Sequence, residues 1–105
     1  MVRRKAKTDK NHNEVIDPIR ELPHVSAKTT HDVGGGFGDW VIGCNGYSVV
    51  IEIKDDDGTL EASQERFKRG WKGGYIVART SDPILAWINF VNQLPRWSKY
   101  GEYAE

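Results

Sequence analysis

Apolar residues along the 105-residue chain change their period several times, and each change marks an element. Val15, Ile16, Ile19 and Leu22 recur at helical spacing behind Asn11-His-Asn-Glu14, a pattern that reads as a capping box opening a helix. Asp17-Pro18 interrupts it, so the helix either kinks there or starts properly at Pro18 with Asp17 as its cap. A strand is predicted from Val25 to Thr30, then a flexible Gly34-Gly-Gly-Phe-Gly38 loop, then two strands near 39–43 and 47–54. Leu60, Gln64, Phe67 and Trp71 share one helical stripe, and Gly73-Gly74 ends it. Tyr75 to Ala78 forms a short strand, and Ser81-Asp-Pro83 caps a last amphipathic helix carrying Ile84, Leu85, Trp87, Ile88, Val91 and Leu94. The resulting order, αβββαβα, belongs to the α/β class, with a mixed central sheet flanked by helices.

The pairing of the second and third strands follows from Asn45-Gly46. This dipeptide between alternating apolar runs signals a two-residue turn with both central residues at positive φ. Cys44 then faces Tyr47, and counting outward one residue per strand brings Asp39 opposite Glu52 at a non-hydrogen-bonded pair. Alternation along Tyr47 to Lys54 sends Tyr47, Val49, Ile51 and Ile53 to a core face and Ser48, Val50, Glu52 and Lys54 to the other. Glu52 and Lys54 are therefore about 7 Å apart on one pleat, with Asp39 against the first. Like charges directly opposite destabilise a sheet, so this pattern implies a cation held between them. The competing reading is a Gly-rich loop ending at Asp39 and a solvated Glu52–Lys54 pair on an exposed face. Gln64 is an amide set in an apolar stripe. It either finds partners at the strand end bearing Glu52 and Lys54 or lies at the stripe's edge in water.

Hard oxygen ligands in this number suit Mg²⁺, with Mn²⁺ as a substitute, and imply no organic cofactor. Zinc is a poor fit, because Cys44 stands alone and His12, His24 and His31 show no metal-ligand spacing. A magnesium ion held by two carboxylates, beside an ammonium that orients a nucleophile, points to metal-assisted phosphodiester hydrolysis.

Composition bounds these readings. The length gives one small domain, and 38% hydrophobic with 29% charged residues is ordinary for a soluble globular protein. No run approaches membrane-spanning length and no signal peptide is visible, so no membrane association is expected. One cysteine excludes an internal disulfide and favours a cytoplasmic location. Fifteen basic and fifteen acidic residues cancel, so bulk charge does not announce a nucleic-acid binder. Residues 1–8 nevertheless open a basic arm with Arg3, Arg4, Lys5 and Lys7, continued by Lys10, which suits either a phosphate backbone or a solubilising tail. A second basic group, Arg66, Lys68, Arg69 and Lys72, shares the helix of Gln64. The segment 95–105, with Trp97, Tyr100 and Tyr103, is too aromatic for a plain disordered terminus and is expected to pack on the domain or on a second subunit.

Asp39, then Glu52-Ile-Lys54, then Gln64 on the following helix resembles the PD-(D/E)xK nuclease superfamily, whose core is restriction-endonuclease-like. More closely, Lys7-Thr-Asp-Lys-Asn-His-Asn-Glu14, Gly34-Gly-Gly-Phe-Gly-Asp39-Trp-Val-Ile-Gly43, Glu52-Ile-Lys54-Asp55, Gln64 and Trp71-Lys-Gly73 resemble the VRR-NUC branch in its stand-alone phage and bacterial form. The likeness spans roughly residues 7–90, and the nuclease-like domain is expected over 9–94. It implies a Mg²⁺- or Mn²⁺-dependent endonuclease acting as a homodimer on branched DNA such as four-way junctions. Asp39 and Glu52 match the family's metal ligands, with the Ile53 carbonyl a usual third. Lys54 matches the lysine that positions the attacking water, Gln64 the glutamine that steadies the cluster, and Glu14 a first-helix acid that approaches the metal through water. Gly38 departs from the family's usual proline, which puts loop rigidity in question more than chemistry. A non-catalytic DNA-binding module, or an interaction protein in which the acids are incidental, is the rival class.

Overall fold

A computed structural model describes the backbone of residues 2–97 and the side chains of residues 11–97. The elements are α1 (Val2–Arg20), β1 (Val25–Thr29), β2 (Trp40–Cys44), β3 (Tyr47–Ile53), α2 (Ala62–Gly70), β4 (Gly74–Ala78) and α3 (Asp82–Val91). They make a small α/β domain whose single sheet has the order β1-β2-β3-β4, antiparallel except for the parallel pair β3–β4. The expected order αβββαβα and mixed sheet are those observed.

The β2–β3 hairpin sets the frame. Asn45 and Gly46 take φ of 56° and 86°, the left-handed pair that a two-residue turn of this kind demands. The ladder runs from Cys44↔Tyr47 to Trp40↔Ile51. Val49, Ile51 and Ile53 then point to the main core with Ile42 and Cys44, against Val15, Ile16 and Ile19 of α1 and Ile84, Ile88 and Val91 of α3. Each fully buried isoleucine contributes about 1.5–3 kcal/mol of transfer free energy. Cutting Ile51 back to alanine in this close-packed layer costs roughly 2–5 kcal/mol.

The opposite face of β3 is not open, as simple alternation would have it. Val50 and Glu52 are as buried as their neighbours, because β3 is an interior strand and α2, with the Gly-rich loop, covers its far side. Phe37 from that loop meets Phe67 and Trp71, and Phe67 meets Tyr75 of β4, at centroid separations of 5.1–5.9 Å.

One boundary expectation fails at α1. The helix runs from Val2 to Arg20, straight through Asn11 to Glu14, so no capping box opens there. Pro18 lies inside the last turns without starting the helix. Its ring supplies no N–H for the helical bond to the Glu14 carbonyl, at a turn where Glu14, Asp17 and Pro18 are exposed. The side chains of Arg3, Arg4, Lys5, Lys7 and Lys10, and all of Tyr100 and Tyr103, lie outside the described residues. Residues 95–97 pack back on the hairpin turn: Tyr47 Oη donates to the Pro95 carbonyl at 2.7 Å and the Trp97 N–H to the Asn45 carbonyl at 3.2 Å. No helix among the described residues is long and apolar enough to cross a membrane.

Candidate metal centre

At the end of the hairpin away from its turn, an open cleft of about 420 Å³ is lined by Asn11, His12, His31, Asp39, Glu52, Ile53, Lys54, Asp55 and Gly58. Both acids and the lysine singled out by spacing therefore reach one space. Their geometry differs in one respect from plain cross-strand pairing. The ladder stops at Trp40↔Ile51, and the Asp39 N–H donates to the Ile51 carbonyl at 2.8 Å, so Asp39 is not the ladder partner of Glu52. This one-residue slip, of the kind a bulge makes, re-aims a side chain. Asp39 Oδ2 accepts the Ile53 N–H at 2.8 Å, and the Asp39 carbonyl accepts the Thr30 N–H at 2.9 Å. Two main-chain bonds and one through its carboxylate thus pin the residue to the chain on both sides.

Gly38 takes a φ of +132°, which a proline ring cannot adopt, and its carbonyl accepts Thr30 Oγ1 at 2.9 Å. That hydrogen bond holds the approach to Asp39.

Glu52 is the buried charged residue of the described chain, 5% exposed. Gln64 Nε2 donates to its Oε2 at 2.8 Å, while Gln64 Oε1 accepts the Glu61 N–H at the start of α2 at 2.8 Å. The amide embedded in an apolar stripe is thus used at both ends, as a helix cap and as a carboxylate donor. Lys54 Nζ lies 3.7 Å from the same Oε2. Burial first, then the nearby Asp39 charge, pushes the Glu52 carboxyl up to about 7 against the pull of Lys54. One ammonium does not balance two carboxylates here. Tyr75, whose hydroxyl is buried without a hydrogen-bond partner among the described residues, is pushed up to about 12 by burial and by the Glu52 and Asp39 charges.

Ile53 lines the cleft, and its N–H holds Asp39. Glu14 is exposed and is not among the residues that line the cleft; the stripe of α1 that faces the sheet is Val15, Ile16 and Ile19. The face is completed at the cleft by His12, one turn before Val15 and Ile16.

His12 and His31 are the residues that spacing missed. His12 Nε2 is 3.9 Å from Asp39 Oδ2 and His31 Nδ1 is 3.5 Å from Asp39 Oδ1. The scattered histidines thus converge, except for His24, which lines a separate cleft near the hairpin turn. The signal for His12 was its place at the end of the apolar stripe. His31 gave none without the β1–β2 register, which sets Thr29 against Trp40 and so carries the following loop past Asp39.

No family model, curated protein or solved structure matches the chain.

Proposed function

We propose that the protein is a divalent-metal-dependent endodeoxyribonuclease that hydrolyses phosphodiester bonds. The observation that carries this reading is the convergence of Asp39, Glu52 and Lys54 on one cleft, with Gln64 bonded to Glu52 at 2.8 Å. A carboxylate 5% exposed and raised to about 7 lacks sufficient positive charge from the chain itself, and a hard dication would supply it. Asp39 and Glu52 would hold Mg²⁺ or Mn²⁺, with the Ile53 carbonyl as the third ligand that the family resemblance implies. When bound, the ion draws charge from the phosphate and acidifies water.

The chain's own groups do the rest. Lys54 orients the attacking water and stabilises charge on the phosphate; Gln64 fixes the rotamer of Glu52, and the Ile53 N–H that of Asp39. Arg66, Lys68, Arg69 and Lys72 are all exposed on or just after the helix that supplies Gln64 and offer contacts to the phosphate backbone. The element order supports a restriction-endonuclease-like core. Branched DNA as substrate, a two-fold homodimer that presents two sites to it, and action in the cytoplasm complete the reading and rest on the resemblance. Leu85 and Phe90, 37% and 61% exposed on α3, are where we expect the second subunit.

The test is cleavage of four-way junction, flap and plain duplex DNA with Mg²⁺ and with chelator, beside Lys54→Ala. Mg²⁺-dependent cutting that the variant loses while still binding DNA supports the proposal. Binding without cutting by the parent chain would instead make it a DNA-binding module on the same scaffold.

A further inference from the structure

The histidine pair on the far side of Asp39 is used by none of the chemistry above. His12 comes from α1 and His31 from the loop after β1, and their rings stack at a centroid distance of 5.8 Å and an interplanar angle of 14°. One ligand atom from each ring and one carboxylate oxygen of Asp39 all lie within 4.8 Å of one another. The nitrogen-to-carboxylate separations, 3.9 and 3.5 Å, exceed hydrogen-bond length. Two ligands each about 2.1 Å from a shared first-row cation sit roughly 3–3.6 Å apart, so the three ligand atoms, all within 4.8 Å of one another, would close around an ion by rotation of their side chains.

We propose that His12, His31 and Asp39 form a second, softer metal seat that takes a divalent first-row transition ion, Zn²⁺ by preference, next to the all-oxygen seat of Asp39 and Glu52. Two imidazoles and one carboxylate make a mixed nitrogen and oxygen donor set that Mg²⁺ disfavours and that Zn²⁺, Co²⁺ and Ni²⁺ favour. Three protein ligands leave at least one position open, and all three line the cleft, so that position faces substrate space. The hydrogen bond from Ile53 N–H to Asp39 Oδ2 supplies the fixed outer partner that ligating carboxylates have. This seat shares Asp39 with the proposed nuclease centre but stands whether or not the protein cuts DNA.

The experiment is titration of the chelator-treated full chain with Co²⁺, followed by its visible absorption, and then displacement with Zn²⁺ followed by calorimetry. One Co²⁺ per chain, displaced by Zn²⁺ and not by equimolar Mg²⁺, is expected. His31→Ala and His12→Ala should each weaken it by more than the roughly 10–100-fold that loss of an outer-shell partner costs, and His24→Ala should leave it unchanged. The His31 side chain is 53% exposed and that of His12 14%, so His31→Ala keeps the test meaningful even if His12→Ala disturbs folding. Co²⁺ binding retained at parent affinity in His31→Ala, or no binding tighter than Mg²⁺, overturns the proposal. Either result leaves Mg²⁺-dependent cutting to be judged by its own assay.

Discussion

The two ends of the β2–β3 hairpin are built from the same strands and solve opposite problems. At the turn, polar groups are matched. Asn45 Nδ2 donates to the carbonyls of Val91 and Leu94 at 2.8 and 3.0 Å, tying the turn to the end of α3. Cys44 Sγ donates to Asn92 Oδ1 at 3.2 Å, and burial pushes its thiol up. At the open end, two carboxylates share one ammonium 3.7 Å from Glu52, and two imidazoles stand off Asp39 at 3.9 and 3.5 Å. A satisfied network holds a fold together; groups pinned in place yet left short of partners are poised to bind something else.

The sharpest break in this comparison follows from the proposed nuclease activity. On that proposal, Lys54→Ala lowers the single-turnover cleavage rate by about 10²–10⁴-fold, with DNA binding and far-ultraviolet dichroism retained. Asn45→Ala, at the other end, should leave the rate of the folded fraction unchanged. Comparable losses from both would mean that the open end acts only through stability.

Next in size is the response of the open end to pH. Glu52 rises from an ordinary 4.5 to about 7 on folding, so between these values the native chain holds a proton that the unfolded chain has released. Its contribution is complete below about pH 4.5 and is lost as pH rises through 7, at most about 3 kcal/mol in all. Urea unfolding in chelator should therefore show the parent losing stability over this window, relative to a Glu52→Gln chain that cannot ionise there. Parallel curves for the two chains would mean that Glu52 is no more strained than a surface carboxylate.

At the turn, Asn45→Ala removes two hydrogen bonds to α3 carbonyls and the residue best suited to φ of 56°. A loss of about 1–3 kcal/mol is expected by the same unfolding measurement. Unlike the Glu52 effect, it should be independent of pH between 5 and 8. A pH-dependent loss would show that the two ends are coupled.

How much of this was legible follows from where each constraint is stored. Asn45-Gly46 is a local instruction, so the turn and the ladder out to Trp40↔Ile51 could be counted from it. The slip at Asp39 could not, because it depends on bonds to Ile51, Ile53 and Thr30 and on the φ of Gly38. The near-continuous apolar run Val49-Val-Ile51 carried a second message, a strand buried on both faces with a parallel neighbour, which alternation alone obscured. At α1 the Asn11-x-x-Glu14 pattern satisfied a capping rule that the tertiary fold overrode. A helix starting at Asn11 hides that the stripe of Val15, Ile16 and Ile19 runs through His12. Gln64 was readable because an amide in an apolar stripe is a local conflict, and such conflicts collect at functional sites.

The smallest expected effect bears on what kind of group His31 is. If His31 and Asp39 were a structural ion pair, its removal would weaken the fold as Asn45→Ala does. Its side chain is 53% exposed and stands 3.5 Å from Asp39 Oδ1, a geometry in which solvent screens most of any attraction. Thermal unfolding of chelated His31→Ala should thus stay within about 0.5 kcal/mol of the parent. Added Zn²⁺ should then stabilise the parent and not the variant, since a ligand bound only by the native state raises stability by RT ln(1 + [L]/Kd). A metal-free loss as large as that of Asn45→Ala would erase the difference between the two ends, making the histidine a brace of the open end in the same sense that Asn45 braces the turn.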